Sequence, residues 1–222
     1  MHIPILFEDG EALVIDKPAG LPLDRPRAGG PCLEDYLEQL TLGFQREPWP
    51  VHRLDRDTSG CLLLARNPKA LKRFSAAFEA RQVEKRYLGV VDGLLEADEG
   101  TIALSLAKVS SAEKGWRMIP AKKGKPAITH WRKLAESGGR TLVEFRPETG
   151  RTHQIRVHAA SGLGAALVGD PVYGSGTGGK PSSVGRTLLH AADLFITREG
   201  KPPITAHAPL PADFVALGFT DG

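Results

Sequence analysis

Cysteine is scarce: only Cys32 and Cys61 occur in 222 residues, both in apolar surroundings and without CxxC or Cys/His spacing. That usage argues against a disulfide framework and a structural zinc site, and it fits a reducing cytosol. Long apolar runs are missing too, so no segment reaches the length of a membrane span. The short apolar start is interrupted by Glu8 and Asp9, which is not the pattern of a signal peptide. Internal repeats are absent, and so is a nucleophile elbow of the G-x-S-x-G type. His153 and His158 are five apart and do not share a helical face; His130, His190 and His207 are scattered without companion carboxylates. No metal or cofactor is expected. What chemistry there is must rest on carboxylates and arginines, in a cytoplasmic protein.

A net charge of +3 says little, but its distribution says more. Acids crowd the first 40 residues, from Glu8 to Glu38. Bases dominate two later segments. The first holds Arg66, Lys69, Lys72, Arg73, Arg81, Lys85 and Arg86. The second holds Lys108, Lys114, Arg117, Lys122, Lys123, Lys125, Arg132 and Lys133. Such segregation is either a solvated basic face or the footprint of a nucleic-acid binder.

Residues 3–7 and 12–15 flank Asp9-Gly10, the pattern of a β-hairpin. Leu33, Tyr36, Leu37 and Leu40 recur at helical spacing and predict a short amphipathic helix over 33–42. Asn67-Pro68 reads as an N-cap and first turn, followed by a buried stripe of Leu71, Phe74 and Phe78, with Ala70 and Ala77 beside it. Strands are expected at 61–65, 83–91, 101–107, 127–134, 141–146, 188–196 and 204–208. A helix ending at Gly162, a flexible loop over 174–185 and a short C-terminal tail complete the reading. Strands outnumber helices without β-α alternation. This predicts an α+β fold with a mixed, largely antiparallel sheet in one domain over 1–222.

Gly174-Ser175-Gly176-Thr177-Gly178-Gly179 satisfies G-x-G-x-x-G, but no buried strand precedes it, and Pro181 stands where a P-loop needs Ser or Thr. A plain loop is the better reading. The stretch Val51-His52-Arg53-Leu54-Asp55-Arg56-Asp57-Thr58-Ser59-Gly60 is different. It is highly charged and runs straight into the apolar Cys61-Leu62-Leu63-Leu64-Ala65. A core strand that delivers two Asp, two Arg and a His to a surface builds either an ion-pair turn or an active site.

His52-Arg53-Leu54-Asp55-x-x-Thr58-Ser59-Gly60 resembles the signature of the RluA branch of the pseudouridine synthases. Lys85-Arg86-Tyr87 resembles that family's K-x-Y element. Its third motif resembles Gly150-Arg151-Thr152-His153-Gln154-Ile155-Arg156-Val157-His158, with Gly169-Asp170 and Tyr173-Gly174 beyond it. Ala12-Leu13-Val14-Ile15-Asp16-Lys17-Pro18-Ala19-Gly20-Leu21 matches the family's opening, and Leu188-Leu189-His190-Ala191 with Ala208-Pro209 its close. The elements run almost end to end and in order.

The resemblance implies conversion of uridine to pseudouridine within RNA, without cofactor. The N1–C1′ bond breaks, the base turns, and C5 joins C1′. Asp55 matches the catalytic aspartate, acting at C1′, on the base or on a sugar proton. Arg156 is expected to pair with it, because a buried carboxylate needs a cation to stay charged. Tyr87 matches the aromatic that packs on the target base. Arg53 is two residues from Asp55, so both fall on one side of an extended loop; by resemblance it fills the space the flipped uridine leaves. Thr58, Ser59 and Gly60 shape the turn, and His52 hydrogen-bonds the loop. The partner is a structured tRNA or rRNA stem-loop, gripped through phosphate by the basic segments. The family's opening lies within the first residues, so a short, monomeric member without the N-terminal RNA-binding domain is expected. Two alternatives remain at this point: an RNA-binding or chaperoning protein of the same fold, and an unrelated carboxylate hydrolase, for which Asp170 would be the second carboxylate.

Overall fold

The computed structural model describes residues 1–111, 113, 115–174 and 184–220. The chain forms two compact units: Met1–Lys85 with His190–Pro209, and Arg86–Leu189 with Leu210–Gly222.

The first unit is built on β1 (Ile5–Glu8), β2 (Ala12–Lys17), β3 (Trp49–Pro50), β4 (Ser59–Ala65), β10 (Leu189–Arg198) and β11 (Lys201–His207), in the order β1-β2-β4-β10-β11 with β3 beside β4. The hairpin between β1 and β2 closes because Asp9 Oδ1 accepts from the N–H groups of Glu11 and Ala12, each at 2.8 Å. All seven residues of β4 are buried, as its unbroken apolar run requires of a central strand. Helix α1 (Pro68–Glu79) starts where Asn67 accepts from Ala70 N–H at 2.8 Å. Its stripe of Ala70, Leu71, Phe74, Ala77 and Phe78 packs on Val14, Leu63, Leu194 and Ile204.

One expectation fails here. Residues 33–42 are not an α-helix but two 3-10 turns, Leu33–Tyr36 and Glu38–Leu40. Their bonds run from i+3 to i, as in Leu37 N–H to Glu34 O at 3.3 Å. Leu42 then turns left-handed with φ 50 ahead of Gly43. A ten-residue amphipathic pattern is too short to hold an α-helix unaided, and only Leu33 and Leu40 of its apolar set are buried.

The second unit is an antiparallel sheet of β5 (Val83–Asp92), β6 (Glu99–Ser111), β7 (Gly115–Pro120), β8 (Lys125–Ser137) and β9 (Arg140–Pro147), ordered β5-β9-β8-β6-β7. Helix α2 (Gln154–Gly162) ends at the glycine expected of it and lies on β6, β7 and β8. Val91, Val143, Phe145, Ile155, Leu167 and Leu189 form the core.

Strand β7 was not expected from the sequence. It is an edge strand with no fully buried residue, held by its pairing with β6 and by Met118 on the cluster of Leu106, Ala127 and Val157. The C-terminal tail is not a bare tail either: α3 (Ala212–Val215) and the residues after it bury Phe214 and Phe219. The glycine-rich motif and the loop expected over 174–185 fall largely on residues 175–183, outside the described residues. Among the pairings described, β4 runs parallel to β10, while β1–β2, β2–β4, β3–β4, β10–β11, β5–β9, β6–β7, β6–β8 and β8–β9 are antiparallel, which gives the expected mixed, largely antiparallel α+β architecture.

Candidate active site

In the first unit the charged loop leaves β3 and enters β4. Leu54 is buried and pins the middle of the loop, while Arg53 on one side is exposed and Asp55 on the other half-buried. Burial alternates along these three residues, as it does in an extended stretch. The turn closes through Thr58 N–H to Asp55 O at 3.1 Å. Arg53 lies 3.8 Å from Asp24, both exposed, and Arg56 Nε donates to Asp57 at 3.0 Å.

The loop is held chiefly through its backbone. Lys17 is fully buried, and its Nζ donates to the carbonyls of Pro18 (2.8 Å), Leu21 (2.9 Å) and Arg56 (3.0 Å). A buried ammonium is tolerable only with such donors satisfied. Arg56 O also accepts from Gly20 N–H at 2.9 Å, so the opening segment grips the residue next to Asp55 from two directions. On the strand side, His52 Nε2 accepts from Leu63 N–H at 3.0 Å, and the ring stacks on Phe78 with centroids 4.6 Å apart. Burial, then the Lys85 ammonium, pushes this imidazole down to about 3. It is therefore neutral, carries its proton on Nδ1 and serves as an acceptor, the loop-bracing role expected of it.

Ser59 and Gly60 then join β4 to β10. The Ser59 hydroxyl bonds His190 Nδ1 at 2.9 Å, and His190 Nε2 donates to Ala208 O at 3.1 Å, which makes His190 a satisfied core histidine. Gly60 has φ +104, and a Cβ there would stand 2.2 Å from Ala191 O. No other residue permits that approach.

In the second unit, Tyr87 lies on β5 opposite Phe145, half-buried against the core that includes Ile155 and Leu189. Its neighbour Arg86 donates to the buried Glu144 at 2.6 Å. Arg156 is on α2 and only 7% exposed, so it is no ordinary helix-surface arginine. Its guanidinium binds Asp170 through two bonds, Nε to Oδ2 at 2.7 Å and Nη2 to Oδ1 at 2.9 Å. Burial works to raise the Asp170 pKa, but Arg156 and the N–H groups of Val172 and Tyr173 hold it below the usual carboxylate value. The guanidinium also lies 5.2 Å from the Tyr173 ring centroid. That ring's hydroxyl accepts from Met118 N–H and bonds His153 Nδ1, both at 2.9 Å.

The structure thus puts Arg53 and Asp55 on one loop of the first unit, and Tyr87 and Arg156 on β5 and α2 of the second. Sequence reasoning named those four but passed over the groups that hold them. Asp170 figured as part of the family's third-motif stretch and as a hydrolase carboxylate, and its bidentate pairing makes it a support for Arg156. Lys17 and Tyr173 carried a usable signal, since both sit inside the segments that resemble the family.

A family model described as RNA pseudouridylate synthase matches residues 11–161. The chain belongs to this family. It is 57% identical over 215 residues to an uncharacterized RNA pseudouridine synthase of Zymomonas mobilis, with 97% of each chain covered. It is 34% identical over 229 residues to ribosomal large subunit pseudouridine synthase D of the same organism, covering 97% of this chain and 71% of that one. Among solved structures, human RNA pseudouridylate synthase domain containing 4 matches with a TM-score of 0.78 and 26% identity, over 96% of this chain and 90% of the other. This pseudouridine synthase is accordingly an isomerase that converts uridine to pseudouridine in RNA. No helix among its described residues is long and apolar enough to cross a membrane.

Proposed function

We propose that Asp55 is the catalytic residue of this synthase and that its substrate is a uridine in a structured stem-loop of ribosomal or transfer RNA. The reaction is an isomerisation: N1–C1′ breaks, C5–C1′ forms, C5 loses its proton and N1 gains one, so no oxidant, reductant or cofactor is needed. The observation that carries this reading is the loop itself. Its backbone is fixed by Lys17 and His52, and it carries an exposed Arg53 and a half-buried Asp55 on either side of the buried Leu54. A carboxylate on a held loop needs little reorganisation when a substrate arrives.

Tyr87 packs against the target base and Arg156 takes part in binding the substrate; the matching motifs support both roles. Arg53 fills the gap left in the helix when the uridine is extruded, a step that costs a few kcal/mol and is offset by RNA contacts. The enzyme works as a monomer in the cytoplasm. The test is Asp55→Asn, assayed by mass spectrometry for pseudouridine in unmodified large-subunit ribosomal RNA and tRNA transcripts. The variant should bind RNA and form no product. Retained turnover refutes the role of Asp55, and a wild-type protein that binds both RNAs without modifying either refutes this choice of substrate.

A further inference from the structure

The cations of the second unit are treated in two ways. Arg132, Lys133, Arg140 and Arg146 each have a carboxylate partner. Lys108, Arg117, Lys122, Lys123 and Lys125 have none among the described residues. Residues 100–130 hold six Lys or Arg against one acid, Glu113. This positive charge gathers on the β6–β7 hairpin and the turn after it, and β7 is the edge of its sheet. The turn is firmly seated: Gly124 N–H bonds Ala121 O at 2.8 Å, and a Cβ on Gly124 would stand 2.5 Å from the Leu106 backbone. It holds Lys122 and Lys123 out into solvent.

On the same hairpin sits Trp116, 47% exposed. Its indole has the His153 ring 4.9 Å away and the Lys108 ammonium 5.0 Å from its centroid. The contacts with His153 and Lys108 cover the residue only in part, and it stays 47% exposed beside the unpaired cations. This is what a single-stranded nucleic acid meets on its binding proteins, a stacking surface along a positive track. The six residues of β7 span roughly 20 Å at 3.3 Å per residue, room for several nucleotides.

We infer that the edge formed by Lys108, Trp116, Lys122 and Lys123 is a docking surface for the RNA strand flanking the target uridine, with the indole stacking on an unpaired base and the ammonium groups on neighbouring phosphates. This rests on the reading that the chain acts on a folded RNA. It adds where that RNA is gripped. The grip also reaches the motif that carries Arg156. His153 starts α2 with a left-handed φ of 53, touches Trp116, and shares a hydrogen bond with Tyr173, whose ring faces Arg156.

The test uses the full chain carrying Asp55→Asn, so that turnover plays no part, with fluorescent oligouridylate as the RNA probe and heparin as a polyanion without bases. Adding Trp116→Ala should weaken oligouridylate binding about tenfold and leave heparin affinity alone, while Trp116→Phe restores most of the loss. Lys122→Gln with Lys123→Gln should weaken both ligands and reduce the slope of log affinity against log salt by about 0.7 for each lysine. Oligouridylate binding equal to the parent's in both the Ala and the double Gln variants overturns the inference, as does a parent that binds no oligouridylate at all. The reading that the chain acts on a folded RNA stands or falls separately, with the transcript assay above.

Discussion

The charged loop of the first unit and the Arg156 motif of the second are fixed by different means. The supports of the loop that carries Asp55 act on main chain: Lys17 Nζ on three carbonyls, Gly20 N–H on Arg56 O, Leu63 N–H on His52. Those of Arg156 act on the side chain, with the guanidinium clamped on a buried carboxylate and a tyrosine beside it. Holding a loop by its backbone sets where its tip sits. Holding an arginine by a bidentate pair fixes the plane and charge of the guanidinium itself. The two arrangements should therefore fail differently when their supports are removed.

Asp55→Asn should show the first side of that contrast most strongly. Pseudouridine formation is expected to fall at least about a thousandfold, while the melting temperature stays near that of wild type, because the loop is anchored elsewhere. A variant that melts early would mean the aspartate is part of the scaffold. Asp170→Asn should do the reverse and cost stability first. Leaving a buried arginine without its charge partner costs about 3–5 kcal/mol, some 6–20 °C in melting temperature for a chain of this size, with activity falling alongside. The wild-type pair also predicts a pH dependence. The folded Asp170 pKa lies below the ordinary 3.8, so its contribution is complete above that value and is lost as pH falls through the folded pKa. Acid unfolding of Asp170→Asn should be correspondingly flatter below pH 3.8.

Lys17→Met tests the backbone grip. About 3 kcal/mol of stability should go with the lost hydrogen bonds, and kcat should fall more than KM rises, since the loop loosens without losing a substrate contact. An unchanged kcat would show that the loop holds itself. The smallest effect concerns two neutral histidines. Folded His52 lies at about 3 and His158 at about 4, both below the ordinary 6.5, so stability present above pH 6.5 should decline as pH drops toward those values. Replacing His158 by Gln should flatten that decline in urea titrations between pH 6.5 and 4.

Local signals were legible wherever a side chain answers its own neighbours. Asp9 closing its hairpin, Asn67 capping α1 and Gly162 ending α2 were all readable from the sequence. Structure that depends on distant pairing was not. Edge strand β7 is short and has no fully buried residue to betray it, and Phe214 and Phe219 are buried by elements that only the fold brings to them. The two 3-10 turns were misread because helical spacing says where leucines point and not whether ten residues can hold an α-helix.

The candidate site divides along the same line. Order and spacing of the motifs by themselves determined the family and singled out Arg53, Asp55, Tyr87 and Arg156, since those segments are contiguous and their chemistry is written in residue types. Only the tertiary structure decided what holds them. Asp170 is 14 residues from Arg156, and Arg56 is 39 from Lys17. Which carboxylate meets which guanidinium, and which carbonyls gather round a buried ammonium, depends on where the backbone returns. Burial then makes those partners obligatory, because a charge out of water must find one.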